Sequence, residues 1–246
     1  MVNFFTKKRY LIDLLEGFID IHNHILPGID DGAQTLDDSI SLIKGFSDFG
    51  VHDFVATPHI MHNYHDNTPD TINASLQLLT EGLEKSKITG INIKASAEHM
   101  IDDNFETILE QKKVMPLHDQ HLLVEMSYLQ RPINFDKSIS AITSNRYFPV
   151  LAHPERYNFL HGRPRKYGDY KKQGIQFQLN MLSLGEFYSK EVQKVAFKLL
   201  EEGMIDFIGS DVHNMNQLNS LKELSIKKKT EAQLIPIIAD TIAQFK

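Results

Sequence analysis

The sequence predicts an α/β barrel, on three observations. Seven short apolar runs alternate with segments of helical period along the chain. All but one of the seven apolar runs end in histidines or acidic residues, the sixth ending at Asn180. The length, 246 residues, suits one barrel-sized domain. Such alternation implies parallel strands with right-handed crossovers. Closing them puts every strand C-terminus at one mouth, where barrels of this kind carry their chemistry. The expected architecture is a seven-stranded TIM-like (β/α)7 barrel, with residues 1–246 forming a single domain.

The first expected element is an N-terminal helical extension over 1–17. Phe4, Phe5, Leu11, Leu14 and Leu15 recur at helical spacing, so this segment should pack on the outside of the barrel. Lys7, Lys8 and Arg9 beside the phenylalanines leave membrane-surface contact as an alternative. Phe18 to Leu26 alternates as a strand, and Pro27-Gly28 and Asp30-Asp31-Gly32 break it. Thr35 caps a helix that runs to about Phe49, with Gly50 as the stop. Further strands are expected at 51–57, 91–97, 121–124, 148–152, 175–179 and 204–209. Helices are expected at 71–87, 104–113, 136–144, 167–173, 190–202 and 231–245. Val192, Val195, Ala196, Leu199 and Leu200 give the helix at 190–202 a strong apolar face.

Composition removes several function classes. The formal net charge is −6 and no basic run is longer than Lys227-Lys228-Lys229, which argues against a nucleic-acid backbone as partner. With no cysteine there is no disulfide, no thiolate metal site and no thiolate nucleophile. No apolar run approaches membrane-spanning length. Met1 to Gly17 lacks the pattern of a secretory signal, so the expected location is cytoplasmic.

The ligand-type residues carry the functional reading. His22 and His24 stand two apart on the first strand and so share a face. His59, Glu98, Glu125, His153, Asp211 and His213 each end a later strand, and Asp31 lies in the acidic turn after the first. Imidazoles mixed with carboxylates suit divalent Mn, Fe, Zn, Co or Mg. His62, His65, His99, His118 and His121 are read as non-ligands. Tyr64 or Tyr128 is a candidate to line a substrate cleft.

Taken as a set, these motifs resemble a known family. They are Asp20-x-His22-x-His24, Leu26-Pro27-Gly28-x-Asp30-Asp31-Gly32, Thr57-Pro58-His59, Glu98, Leu123-Val124-Glu125, Ala152-His153-Pro154-Glu155-Arg156 and Ser210-Asp211-x-His213-Asn214. In that order they resemble the polymerase-and-histidinol-phosphatase (PHP) superfamily. Within it they are similar to the metal-dependent protein-tyrosine phosphatases of bacterial capsule and exopolysaccharide operons. The resemblance implies a distorted seven-stranded barrel with three divalent ions, manganese first among them. It implies one ion on His22, His24, Glu98 and Asp211, and a second on Glu98, Glu125 and His153. A third would sit on Asp31, His59 and His213, with Asp20 orienting a ligand. The implied substrate is a phosphotyrosine protein, such as the tail of an autophosphorylated bacterial tyrosine kinase. Homo-oligomerisation is left open.

One departure stands out. Relatives often carry an arginine soon after the Asp-x-His-Asn motif, and Met215-Asn216-Gln217-Leu218 has none. Phosphate anchoring then falls to Arg156, with Arg163 and Arg165 as further candidates; the alternative for Arg156 is a salt bridge to a nearby carboxylate. The expected reaction is phosphomonoester hydrolysis by an acidified water, with Arg156 neutralising phosphate charge and His59 or His213 as candidate acids. The rivals are a small-molecule phosphatase such as histidinol phosphatase, a PHP-type phosphodiesterase, and a catalytically silent kinase partner.

Overall fold

The computed structural model describes residues 8–246. The helical extension expected over 1–17 is not what residues 8–17 form. Arg9–Tyr10 is a short strand, β1, followed by a 3-10 turn over Leu11–Leu14. Leu11 and Leu15 are fully buried, so the apolar spacing reports packing rather than helix. Phe4 and Phe5 lie outside the described residues.

The order then follows the alternation. Strand β2 (Ile19–Asp20) leads to α1 (Leu36–Ser47), and β3 (Asp53–Ala56) and β4 (His59–Ile60) lead to α2 (Pro69–Lys85). Next come β5 (Asn92–Ala95), β6 (Glu98–Met100), α3 (Phe105–Glu110), β7 (His121–Glu125) and α4 (Phe135–Ser144). Strand β8 (Phe148–Ala152) precedes α5 (Asn158–His161) and α6 (Arg165–Lys172), and β9 (Gln176–Asn180) precedes α7 (Lys190–Glu201). The chain closes with β10 (Phe207–Gly209), α8 (Met215–Lys222), β11 (Ser225–Ile226) and α9 (Lys228–Phe245). Helix starts follow local chemistry. Thr35 and Asp38 form a reciprocal capping box on α1, Thr68 caps α2 ahead of Pro69, and Ser189 caps α7.

The strands do not form the single seven-stranded ring that alternation suggested. They form a curved six-stranded parallel sheet, β10-β9-β8-β7-β6-β4, and a three-stranded parallel sheet, β2-β3-β5. The division has a local cause. The expected strand at 51–57 stops before Pro58, which has no N–H to give, and pairing resumes at His59 against Glu98. The strand at 91–97 is interrupted after Ala95 in the same way, with β5 on β3 and β6 on β4. Backbone hydrogen bonds still cross the seams. His24 N–H donates to the Val212 carbonyl at 3.0 Å, Asp211 N–H to His22 at 2.7 Å, and Thr57 N–H to Asn23 at 3.0 Å.

The parallel strands other than β5, which alternates exposed and half-buried residues, are largely buried on both faces, as the crossover topology requires. Leu123, Val150 and Ala152 belong to an inner apolar cluster with Ile19, Ile21 and Phe207. Their neighbours Leu122, Val124 and Leu151 belong to the larger layer beneath the helices. Phe245, at the end of α9, packs edge-on to Phe207 at 4.9 Å and joins the inner cluster. The functional residues therefore have only the opposite end of the strands to occupy.

Candidate active site

The site starts from the turn after β2. His22 and His24 project to one side of an extended segment, as residues two apart must. Asp30 then fixes the turn, and sequence reasoning had given it no role. Its Oδ2 accepts from His24 Nδ1 at 2.8 Å and from His59 N–H at 3.1 Å, while Oδ1 accepts from Gly32 N–H at 2.9 Å. A Cβ at Gly32 would lie 2.2 Å from the His24 carbonyl oxygen and 2.4 Å from its Cβ. Only glycine lets the turn close on the histidine, which gives the Leu-Pro-Gly-x-Asp-Asp-Gly motif a steric reason.

The imidazole tautomers follow from their neighbours. His22 Nδ1 faces Gln178 Oε1 at 2.7 Å, and the Gln178 amide nitrogen is already donating to Leu179. His213 Nδ1 faces the Asp211 carbonyl at 2.9 Å. With His24 Nδ1 on Asp30, each Nδ1 meets an acceptor and carries the proton. Each Nε2 lone pair then points into the cluster.

There the donor atoms converge without hydrogen-bonding. His22 Nε2 stands 3.2 Å from Glu98 Oε2 and 3.3 Å from Asp211 Oδ1; His24 Nε2 is also 3.3 Å from Asp211 Oδ1. His22 Nε2, His24 Nε2, His59 Nδ1, both Glu98 oxygens and Glu125 Oε1 are buried with no hydrogen-bond partner. Such atoms are costly unless something else satisfies them. Ligands each about 2.1 Å from a shared ion stand about 3.0–3.4 Å apart in octahedral or tetrahedral arrangements. The observed spacings have that size. Three groups bring their donor atoms within 4.8 Å of one another: His22, His24, Glu98 and Asp211; His24, Asp31, His59 and His213; and His59, Glu98 and Glu125. His153 Nε2 approaches Glu98 Oε1 at 3.0 Å and Glu125 Oε2 at 4.0 Å. All nine candidate ligands thus come together. His59 touches two groups rather than the one assigned from resemblance, with Nδ1 3.0 Å from Glu125 and Nε2 3.4 Å from Asp31.

Electrostatics match. Burial alone would lower His22, yet Glu98 and Asp211 outweigh it and raise the imidazole to about 8. Against the same burial, Asp30 leads the groups that raise His24 to about 10. Burial would raise Glu98 and Asp211, but the facing imidazoles hold both well below the usual carboxylate range. The carboxylates thus favour positive charge on His22 and His24, while burial and the neighbouring His24 lower His213 to about 4.

Backbone strain supports the arrangement. His153 and Asp211 both adopt left-handed φ, 36° and 53°, just beyond β8 and β10. Each costs about 1–2 kcal/mol in a non-glycine residue. Asp20 anchors the second of these turns from below. Its carboxylate accepts from Ser210 N–H at 2.9 Å and Ser210 Oγ–H at 2.6 Å. Burial pushes its pKa up to about 6, and the Ser210 bonds limit the rise.

Arg156 forms the salt bridge to a nearby carboxylate that is its alternative reading in the sequence. One amine donates to Asp211 Oδ2 at 2.6 Å, and the guanidinium is stacked between the Tyr128 and Tyr188 rings, 4.6 Å and 4.0 Å from their centroids. Asn180 Nδ2 bonds Asp211 Oδ2 at 2.7 Å and Tyr188 Oη at 3.0 Å. Asp211 thus gives Oδ2 to Arg156 and Asn180 and keeps Oδ1 for the histidines. Arg156 also lines a cleft of about 860 Å³ shared with Asp31, His59, Tyr64, Tyr128 and His213. Arg163 and Arg165 are exposed and do not line it. Tyr188, Asn180 and Gln178 carried no recognisable signal in the sequence.

The other histidines divide. His99 is buried, with Nδ1 on the Leu123 carbonyl and Nε2 accepting Met115 N–H. His121 packs against Phe148, Phe207 and Phe245. His118 lies beside Asp119, away from the cleft. His62 and His65 do line the cleft, and His65 stacks on His59 at 5.5 Å.

Comparison with known proteins gives the same picture. The profile of the capsular polysaccharide synthesis CpsB/CapC family matches residues 18–235. The tyrosine-protein phosphatase YwqE of Bacillus subtilis (strain 168) is 29% identical over 202 residues, 82% of this chain and 79% of its own. The tyrosine-protein phosphatase CpsB of Streptococcus pneumoniae is 28% identical over 205 residues, 80% of this chain and 84% of its own. A crystal structure from work on YwqE and CpsB, described as metal-dependent tyrosine phosphatases, superimposes with TM-score 0.75 at 26% identity. It covers 90% of this chain and 94% of the other. The lactonase Lmo2620 of Listeria monocytogenes shares the fold at TM-score 0.54 and 14% identity. With its profile spanning every motif around the cluster, this chain belongs to the CpsB/CapC family of capsular polysaccharide synthesis.

Proposed function

We propose that the chain is a metal-dependent phosphomonoesterase that hydrolyses phosphotyrosine on proteins. The observation that carries this reading is the set of buried imidazole nitrogens and carboxylate oxygens that face one another at 3.0–3.3 Å without hydrogen-bonding, on the floor of an open cleft. Three divalent ions account for it. His22, His24, Glu98 and Asp211 would hold one, and Glu98, Glu125 and His153 a second. Asp31, His59 and His213 would hold the third, with His24 beside them. An all-nitrogen-and-oxygen donor set suits Mn first, and Fe, Zn, Co or Mg as alternatives. When bound, such ions neutralise phosphate charge and acidify water.

The chain's own residues supply orientation and further charge. Gln178, Asp30 and the Asp211 carbonyl hold His22, His24 and His213 in one tautomer. Arg156, immobilised between Tyr128 and Tyr188, keeps guanidinium N–H groups for phosphate oxygens at the cleft. His59 and His213 line the cleft, and either could donate a proton only if it were free of the third ion; a water acidified by the ions is the alternative. A phenol with pKa about 10 needs less protonation on leaving than an alkyl alcohol does.

From the relatives we infer that the substrate is a phosphotyrosine protein of capsule or exopolysaccharide synthesis, with an autophosphorylated kinase tail as the first candidate. We read the two sheets, stitched at 22–24 with 211–212, as one distorted seven-stranded barrel forming a single domain. None of the described helices is long and apolar enough to cross a membrane. The test is turnover of a phosphotyrosine peptide against histidinol phosphate by manganese-loaded protein, with bound metal quantified. Preference for the peptide, lost on chelation, is expected. Preference for histidinol phosphate would move the chain to small-molecule chemistry.

A further inference from the structure

The three most exposed large apolar side chains among the described residues are Ile133 at 104%, Leu129 at 82% and Tyr64 at 80%. Two of them share one cleft, and the third lies in the same loop as one of those two. Tyr64 and Leu129 line the cleft, and Ile133 follows Pro132, which also lines it. Scattered apolar residues on a surface need no explanation, but a cluster at the mouth of a functional cleft does.

Topology makes these residues one wall. They lie in the loops after β4 and β7, and β6 lies between those strands in the six-stranded sheet. The middle position of the wall is Met100, at the end of β6, and Met61 lies beside Tyr64. Methionine is unbranched and polarisable, and adapts to partners of varied shape. Arg156, Asp211 and His213 come from other strands and form a separate part of the same cleft. A phosphate held there leaves the apolar wall free for whatever is attached to it.

Charge narrows the occupant. Among the cleft-lining residues, Asp31, Glu98, Glu125 and Asp211 belong to the ligand cluster, leaving Asp102 and Arg156 as formal charges. Asp102 accepts from the backbone N–H groups of His62 and Asn104, and no lysine lines the cleft. Arg131, in the same loop as Leu129 and Ile133, is paired with Asp136, so an acidic flanking sequence finds no unpaired lysine or arginine there, and an aliphatic or aromatic one finds a surface to cover.

The geometry points to Tyr64, Leu129 and Ile133, with Met61 and Met100, as a docking wall for the polypeptide around the phosphotyrosine, selecting apolar residues beside it. This rests on the phosphotyrosine reading above and adds which sequences are preferred. It also separates protein substrates from small phosphate esters, which cannot reach the wall.

The experiment uses the full-length, manganese-loaded chain and three substrates. These are a phosphotyrosine peptide flanked by leucines, the same peptide flanked by glutamates, and p-nitrophenyl phosphate. Wild type should favour the leucine peptide by at least about fivefold in kcat/KM. The double variant Leu129→Ser/Ile133→Ser should lose about tenfold on that peptide relative to p-nitrophenyl phosphate, the scale expected if a docked peptide covers only part of each aliphatic side chain. Both side chains are solvent-exposed, so thermal melting should not move, and Leu78→Ser on distant α2 serves as the control. Equal loss on the peptide and the small ester, or no loss on either, overturns the docking wall. Turnover of both peptides without flank preference overturns it and leaves the phosphatase reading standing. No turnover of any of the three by the loaded wild type overturns the phosphatase reading and the wall with it.

Discussion

Replacing Arg156 with alanine tests how the cleft handles phosphate. The substitution removes a charge-assisted hydrogen bond to Asp211 Oδ2 and two aromatic contacts at a side chain only 17% exposed. The hydrogen bond is worth about 1.5–3 kcal/mol, and each cation–π contact adds about 0.5–1 kcal/mol. Asp211 Oδ2 keeps the Asn180 amide, so the aspartate should stay in place and metal content should hold. Stability of the metal-free chain should fall by about 2.5–5 kcal/mol, read from urea unfolding. The kinetic loss is separate. Removing a guanidinium aimed at developing phosphate charge should cost about 2–4 kcal/mol, or roughly 30- to 1,000-fold in kcat/KM. Arg156→Lys should recover part of it, since a single ammonium can meet Asp211 or phosphate but cannot fork to both. The assay is steady-state hydrolysis of a phosphotyrosine peptide with bound metal measured in parallel. If Arg156→Ala keeps a third or more of wild-type kcat/KM, the guanidinium is a structural partner of Asp211 alone.

Three other outcomes follow from particular contacts. Gly32→Ala places a methyl against His24 and should cost about 1–3 kcal/mol while weakening metal binding; an unchanged metal titration would show that the turn does not position His24. Burial lowers His99 from 6.5 to about 4, so the native chain binds fewer protons than the unfolded chain between those values. That stability is present above pH 6.5 and is lost as pH falls toward 4, by about 3 kcal/mol in all. His99→Gln should flatten the fall in chelator-treated protein, and unfolding curves at pH 7 and pH 4.5 would reveal a slope that does not change. With no cysteine nucleophile, vanadate should inhibit weakly and a chelator strongly; activity surviving exhaustive chelation would contradict the mechanism.

The site was more legible in the sequence than the sheet. His22 and His24 announce themselves by strand spacing, and His153 and Asp211 by following apolar runs, because ligand chemistry allows few residue types. Asp30 was hidden because its work is local, bonding His24, His59 and Gly32 at once. Tyr188 and Asn180 were hidden because they meet Arg156 and Asp211 only through the fold, and a tyrosine or asparagine between helix and strand has no pattern of its own. Among the elements, Pro58 showed where an expected strand would stop, but not that pairing resumes beyond it in a different sheet. The helix Met215–Lys222 was missed because Asn216, Gln217, Asn219 and Ser220 dilute its apolar signal to Leu218 and Leu221. Asn214 caps it, accepting from the N–H groups of Asn216 and Gln217. The N-terminal apolar spacing misled because Leu11 and Leu15 are buried from a 3-10 turn.

The central claim is that Glu98 sits between cation sites that perform the hydrolysis. Its two oxygens face His22, His59 and His153, and both are buried without hydrogen bonds. The direct measurement is bound manganese and phosphotyrosine-peptide turnover for wild type and Glu98→Ala, with circular dichroism on both. Wild type should bind manganese in more than one equivalent and lose activity with it. Glu98→Ala should keep the same dichroism, bind less metal and lose at least about 100-fold in turnover, since one carboxylate serves more than one ion. Turnover near that of wild type in Glu98→Ala, or a wild-type chain that works equally well stripped of metal, would contradict the account.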